Sequence, residues 1–220
     1  MASKEKQWKG YYKYYLSEAR RQGVNALNVL DQQWHDGQAT AQSVLPHLSS
    51  TSVVLEIACG FGRVSRFVAP HCRALHCADI LPEALAEAKK NLANNDNVYF
   101  HKLTGYDLAG FQNDYFDCVY SFTSFFHFDF ELVVHYFREI QRVLKTDGVA
   151  IIEFKRWNGN DDVEQLLEKI DQQGGIKAYE SELDKWRYVS KEMLKIVCDY
   201  YQLKIIDDDT TAFTFKKYVM

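Results

Sequence analysis

Short continuous apolar runs alternate along this chain with longer stretches whose apolar residues recur at helical spacing. Runs of the first kind stand at 53–58, 73–78, 98–103, 116–122 and 149–154. Their length and lack of polar alternation predict strands buried on both faces. Pro82 opens the stretch 83–92, where its missing N–H costs nothing, and strong helix formers follow it. Residues 131–144 carry apolar positions at helical spacing, and 145–148 end that helix. Strands alternating with helices at this interval predict right-handed βαβ units and a parallel sheet. The first fifty residues read as helical. Past residue 155 the pattern predicts a helix over 161–170, a loop at 172–175, and a helix to Tyr201 capped by Ser190. A strand at 203–206, a turn at 207–209 and a strand at 212–219 then close the chain as a hairpin. The expected fold class is a three-layer α/β sandwich with a mostly parallel, seven-stranded sheet and an antiparallel last strand.

Composition narrows the setting. With 220 residues, 47% of them hydrophobic, and a formal charge of -4, the chain can bury the core of one domain and is not a disordered tail. It has no basic excess to serve as a nucleic-acid footprint. No apolar run approaches the roughly 20 residues a membrane span needs. The first fifteen residues are polar and aromatic, unlike a signal segment, so a cytoplasmic protein is expected. Cys59, Cys72, Cys77, Cys118 and Cys198 form no CxxC pair, so they read as small buried hydrophobes, not as a disulfide framework or a zinc site. The aspartates at 207–209 read as a solvated hairpin tip, and no metal is expected.

The chemistry concentrates after the first strand, in Glu56-Ile57-Ala58-Cys59-Gly60-Phe61-Gly62-Arg63. Glycines there let backbone approach a ligand, a following helix would offer free N–H groups, and ligands of open parallel sheets bind at this end of the strands. The nicotinamide fingerprint fails, because Ser65 stands where its third glycine belongs. Asp79 ends the second strand, where a carboxylate can accept bonds from a ribose diol.

Glu56, Ala58, Gly60 and Gly62 match the acid-x-Gly-x-Gly-x-Gly form of the class I S-adenosylmethionine-dependent methyltransferases except at Ala58. Thr104-Gly105-Tyr106-Asp107-Leu108, 115–121 and 142–148 resemble three further motifs of that family, in its order. The resemblance covers residues 50–155 closely and implies a Rossmann-like sheet with S-adenosylmethionine as cofactor and S-adenosylhomocysteine as product. It implies that Glu56 helps hold the amino-acid end of the cofactor, with Ala58, Cys59, Gly60 and Gly62 beneath it. Asp79 would grip the ribose, Ile80 would pack on adenine, and Thr104, Gly105, Tyr106 and Ser121 would complete that wall. The corresponding division is a single domain over 1–220: a helical lid (1–50), a cofactor core (51–155), and C-terminal helices with the closing hairpin (156–220).

Beyond the fourth strand, residues 121–130 hold five phenylalanines, His127 and Asp129. His127 is the candidate catalytic base for a hydroxyl acceptor; the plainer reading is a histidine that orders the loop. Trp8, Tyr11, Tyr12 and Tyr15 share one helical face, which serves either as packing or as a lid. Tyr11, Tyr15, Phe125 and Trp157 are the candidate acceptor contacts. The expected activity is methyl transfer to a hydroxyl or amine of a small molecule, by a monomer or homodimer. The alternatives are a non-catalytic partner subunit with the same fold, or a methyltransferase acting on protein.

Overall fold

The computed structural model describes residues 2–156, 160–172, 187–208 and 212–218. Five strands alternate with helices as the apolar runs predict: β1 (Val53–Ile57), β2 (Ala74–Asp79), β3 (Val98–Lys102), β4 (Phe116–Ser121) and β5 (Leu144–Glu153). After them come β6 (Lys155–Arg156), β7 (Tyr188–Val189), β8 (Leu203–Asp207) and β9 (Ala212–Lys217). The main sheet is seven-stranded in the order β3-β2-β1-β4-β5-β9-β8. Strands β1 to β5 pair in parallel, and β9 runs antiparallel to both β5 and β8. The expected sheet is thus the observed one. The order reverses direction at β1, so the crevice beyond the ends of β1, β2 and β4 is a topological switch point, where open α/β sheets bind ligands.

Side chains of β1 alternate between two apolar clusters. Val53, Leu55 and Ile57 face one with α6 (Phe130–Val143), while Val54 faces the other with α3 (Gln38–Gln42), α4 (Ser65–Val68) and α5 (Pro82–Asn91). Helix α6 buries Leu132, Val133, Tyr136, Phe137, Ile140 and Val143, a stripe at helical spacing that seals one sheet face. A third cluster lies off the sheet. Helices α1 (Ala2–Gln22) and α2 (Ala26–Gln33) bury Tyr15, Ala19, Ala26, Leu27 and Val29 around Phe61 of the glycine loop.

Helix α7 (Asn160–Gln172) and helix α8 (Lys191–Tyr200) stand where the pattern puts them, and the Ser190 hydroxyl accepts from the Met193 N–H as an N-cap. Two expectations need correction. The helix after the glycine loop is a single turn, Ser65–Val68, because residues 61–64 are spent in turns. Strand β5 starts at Leu144 and carries the expected stop at 145–148 as an irregularity: Phe116 pairs Leu144, then Cys118 pairs Val149. Asp147 takes a φ of 64° to make that detour. The two-residue pair β6–β7 was not foreseen, since two residues carry no pattern. All five cysteines are free and buried. Among the described residues no helix is long and apolar enough to cross a membrane.

Candidate functional site

The glycine loop turns through left-handed backbone at Ala58 (φ 61°), Gly60 (φ 55°) and Gly62 (φ 82°). The two glycines answer different neighbours. A Cβ on Gly60 would stand 2.7 Å from the Tyr12 hydroxyl oxygen, and one on Gly62 would stand 3.0 Å from Leu92 Cδ1 at the end of α5. Gly62 therefore lets a helix pack, while Gly60 lets the Tyr12 ring of α1 close on the loop. Ala58 holds the same kind of backbone with a Cβ, which is strained for an L residue.

Asp79 ties the end of β2 to this loop. Its Oδ2 accepts the Gly60 N–H at 3.0 Å and its Oδ1 accepts the Leu81 N–H at 2.9 Å. Burial pushes its pKa up to about 6, against the pull of these backbone donors. Each oxygen keeps lone-pair capacity for a further donor, as a ribose diol requires. Cys59, between them, donates its N–H to Ala78 O at 3.1 Å, and its thiol pKa is pushed up by a hydrogen bond with the Cys77 thiol and by burial.

Glu56 is buried beneath the loop. The Tyr120 hydroxyl donates to its Oε2 at 2.9 Å, and the Ser65 hydroxyl donates to the same oxygen. Burial raises this carboxyl to about 7, although both hydroxyls favour the ionised form. It is poised to gain from any cation brought above it. Ser121 is spent on the scaffold: its Oγ donates to Ile57 O at 2.7 Å and lies 2.5 Å from Ser124 Oγ, joining β4 to β1.

On the far side, a Cβ at Gly105 (φ 88°) would lie 3.2 Å from Ile80 Cγ2, so these two expected adenine-side residues do meet. Thr104 and Tyr106 are exposed beside them, and the Tyr106 N–H donates to Thr104 Oγ1. A cavity of about 350 Å³ opens along the outer edge of β3, lined by residues 100–104, Asp107 and Phe111 among others; of the expected contacts it includes Thr104 alone.

His127 ends a short 3₁₀ turn after β4, with its N–H on Ser124 O at 2.9 Å. Its ring packs 5.0 Å from Trp8 of α1 and 4.5 Å from Phe126. The N-terminal helix therefore covers the segment after β4 as well as the glycine loop. Phe125 is 1% exposed and stacks among Phe128, Tyr136 and Phe154 in the core, so its ring supports the turn from below. Tyr15 is equally buried, takes the Trp34 indole N–H at 2.9 Å and lies 3.1 Å from the half-buried Tyr11 hydroxyl. Trp157 lies outside the described residues.

Three participants escaped the sequence reading. Tyr12 shares the aromatic stripe of α1, but nothing in that spacing tells which ring reaches Gly60. Phe61 sits between two loop glycines and is buried against Tyr12 and Tyr15, an apolar residue whose position in a turn could have signalled a covering element. Arg63 donates from Nη1 to the His35 ring, a partner 28 residues away that no motif connects to it.

Residues 54–148 match the family model described as a methyltransferase domain. No curated protein matches the sequence. Among solved structures, the YcgJ protein of Bacillus subtilis superposes with a TM-score of 0.66 at 15% identity, covering 83% of this chain and 99% of that one. A chain from the complex between the Haloferax volcanii Trm112 methyltransferase activator and a methyltransferase gives 0.65 at 17% identity, with 95% and 98% covered. The [4+2]-cyclase SpnF gives 0.64 at 15% identity, with 83% and 81% covered. At these identities the structures speak for the fold. The matched segment spans the glycine loop, Asp79 and the strands around them, so residues 54–148 of this chain carry a methyltransferase domain on the fold these structures share.

Proposed function

We propose that the protein transfers the methyl group of S-adenosylmethionine to a hydroxyl or amine of a small molecule in the cytoplasm, as a monomer or homodimer. The observation that carries this reading is the cover over the site. Helix α1 lays Tyr12 on Gly60 and Trp8 on His127, a cover that favours a small acceptor over a polymer.

The residues present fit the cofactor: Gly60 has no side chain to obstruct the loop, Asp79 keeps spare lone pairs that would serve a ribose, and Ile80 with Gly105 would flank adenine. Glu56 supplies negative charge for the amino end, with Ala58, Cys59 and Gly62 shaping the loop below. Thr104 and Tyr106 stand beside Gly105, Ser121 supports the loop from within the scaffold, and Tyr11 with the buried Tyr15 backs the cap. When bound, S-adenosylmethionine supplies a methyl group on sulfur that is already strongly electrophilic. The protein's share is to hold the acceptor in line, exclude water and remove one proton. In this reading His127 takes that proton from a hydroxyl.

Calorimetric titration with S-adenosylmethionine and with NAD, followed by an acceptor screen with labelled methyl donor, tests the reading; binding of NAD alone would end it. Once an acceptor is found, His127→Ala should lower kcat by about 10²–10⁴ with cofactor affinity unchanged if the acceptor is a hydroxyl. A stable variant with parental kcat would remove the base and favour an amine acceptor. A second reading, a non-catalytic or differently reactive member of the fold, is favoured by the likeness to SpnF, which is a cyclase. Cofactor binding without turnover across the screen would select it.

A further inference from the structure

Arg63 follows the last loop glycine and is 7% exposed. A guanidinium buried this deeply ordinarily meets a carboxylate, and even the more exposed Arg66 and Arg142 do, meeting Asp31 and Glu139 at 2.8 Å each. Among the described residues Arg63 has no acid within ion-pair distance. Its hydrogen bonds all leave from Nη1, to His35 Nδ1 at 3.0 Å and to His35 O at 3.4 Å. Burial and the neighbouring guanidinium both lower the basicity of His35, so it takes these bonds as a neutral ring and contributes no counter-charge. Nε and Nη2 donate to no described group. That edge of the guanidinium presents two parallel N–H bonds, the geometry that holds a carboxylate bidentately.

The fork is held in place. Gly37, at φ 81°, brings the loop before α3 so close that a Cβ there would lie 2.8 Å from Arg63 O and 3.0 Å from Arg63 Cγ. Around the guanidinium stand carboxyls that act on it through space without bonding it, chiefly Glu56, then Glu153 and Asp31, with the Tyr11 hydroxyl beyond. Glu56 closes the end of β1 and Glu153 the end of β5, where its Oε2 accepts the Thr123 N–H. A cation with an open bidentate edge, facing acids it does not touch, is complementary to a group carrying both charges.

We propose that Arg63 is the carboxylate anchor of this site, its Nε and Nη2 taking the α-carboxylate of the cofactor's amino-acid end while Glu56 and Glu153 face the ammonium. The proposal rests on the methyltransferase reading above. The competing account is a staple, in which Arg63 only fastens the His35 loop to the glycine loop.

Two ligands separate these accounts: S-adenosylhomocysteine, and 5′-methylthioadenosine, which keeps the nucleoside and sulfur but lacks the amino acid. Calorimetry should show the parent binding S-adenosylhomocysteine tenfold or more tighter than 5′-methylthioadenosine, since charge-assisted pairs of this kind are worth that ratio. Arg63→Gln should bring the two affinities within about threefold by weakening S-adenosylhomocysteine alone. Arg63→Lys, which keeps the charge and loses the fork, should fall between. Equal weakening of both ligands in these variants would establish the staple and overturn the anchor, as would a variant that keeps the parental preference. A parent that binds neither ligand would instead defeat the methyltransferase reading itself.

Discussion

Ala58 and Glu56 show how single positions in the loop trade stability for shape. Ala58 sits at φ 61°, where an L side chain costs about 1–2 kcal/mol that glycine avoids. Ala58→Gly should therefore raise stability by about 1 kcal/mol net of glycine's larger unfolded-state entropy, measured by urea unfolding; a loss of stability would show that the Cβ contributes packing that outweighs the strain. Glu56 is raised to about 7, above its unfolded value, so it favours the fold while protonated. That contribution is complete below about pH 4.5 and is lost as pH rises through 7. Asp79, raised to about 6, acts with the same sign. His76 is lowered to about 4 by burial and by its neighbour His101, and acts oppositely, its contribution being lost as pH falls below about 6.5. Glu56→Gln should stabilise the protein by about 2–3 kcal/mol at pH 8 and by little at pH 5. An equal effect at both pH values would mean the charge of Glu56 is not what burial penalises.

At the scale of elements, the N-terminal helices behave as a cap whose largest buried join to the sheet is one ring. Phe61 contributes the loop's part of the third cluster, against Tyr12, Tyr15, Leu27 and Val29. The Lys9–Glu83 and Arg66–Asp31 pairs add surface ties from α1 to α5 and from α2 to α4, and such exposed pairs are worth about 0–1 kcal/mol each. The ring dominates. Phe61→Ala should remove about 3–5 kcal/mol of local packing and lift α1 off the loop. Hydrogen exchange should then show α1 amides losing protection while β1 and β4 keep theirs. Uniform loss across both would show that cap and sheet open as one unit.

For the molecule as a whole, a ligand that binds between cap and sheet stabilises only the folded chain. At a hundredfold excess over Kd, S-adenosylhomocysteine should add about 2.7 kcal/mol, a rise in Tm of roughly 5–10 °C at this size. Asp79→Ala removes the ribose acceptor and should weaken binding about tenfold, which halves the ligand shift at the same concentration. The unliganded variant need not unfold earlier, because a buried carboxyl raised to about 6 has been removed. A full ligand shift in Asp79→Ala would place the ribose elsewhere.

The strands were legible because a strand buried on both faces leaves a continuous apolar run, and β1 to β4 fall within a residue of the runs that predict them. The glycine loop and Asp79 were legible because close backbone approach and a terminal acid are properties of residue type at a position. Bounds failed where local pattern lost to tertiary pairing: β4 pairs Leu144 ahead of the detour at 145–148, which no apolar run marks. The partners of the site were settled by folding alone. Glu56 meets Tyr120 across 64 residues, His35 meets Arg63 across 28, and Trp8 meets His127 across the whole cofactor core. No spacing encodes such contacts; they follow from strand order and from where the cap lands. Sequence alone thus determined the sheet and the loop at the end of it where open α/β sheets bind ligands. The tertiary structure decided which side chains close over that end, because a helical stripe specifies a face to bury and leaves open what it is buried against.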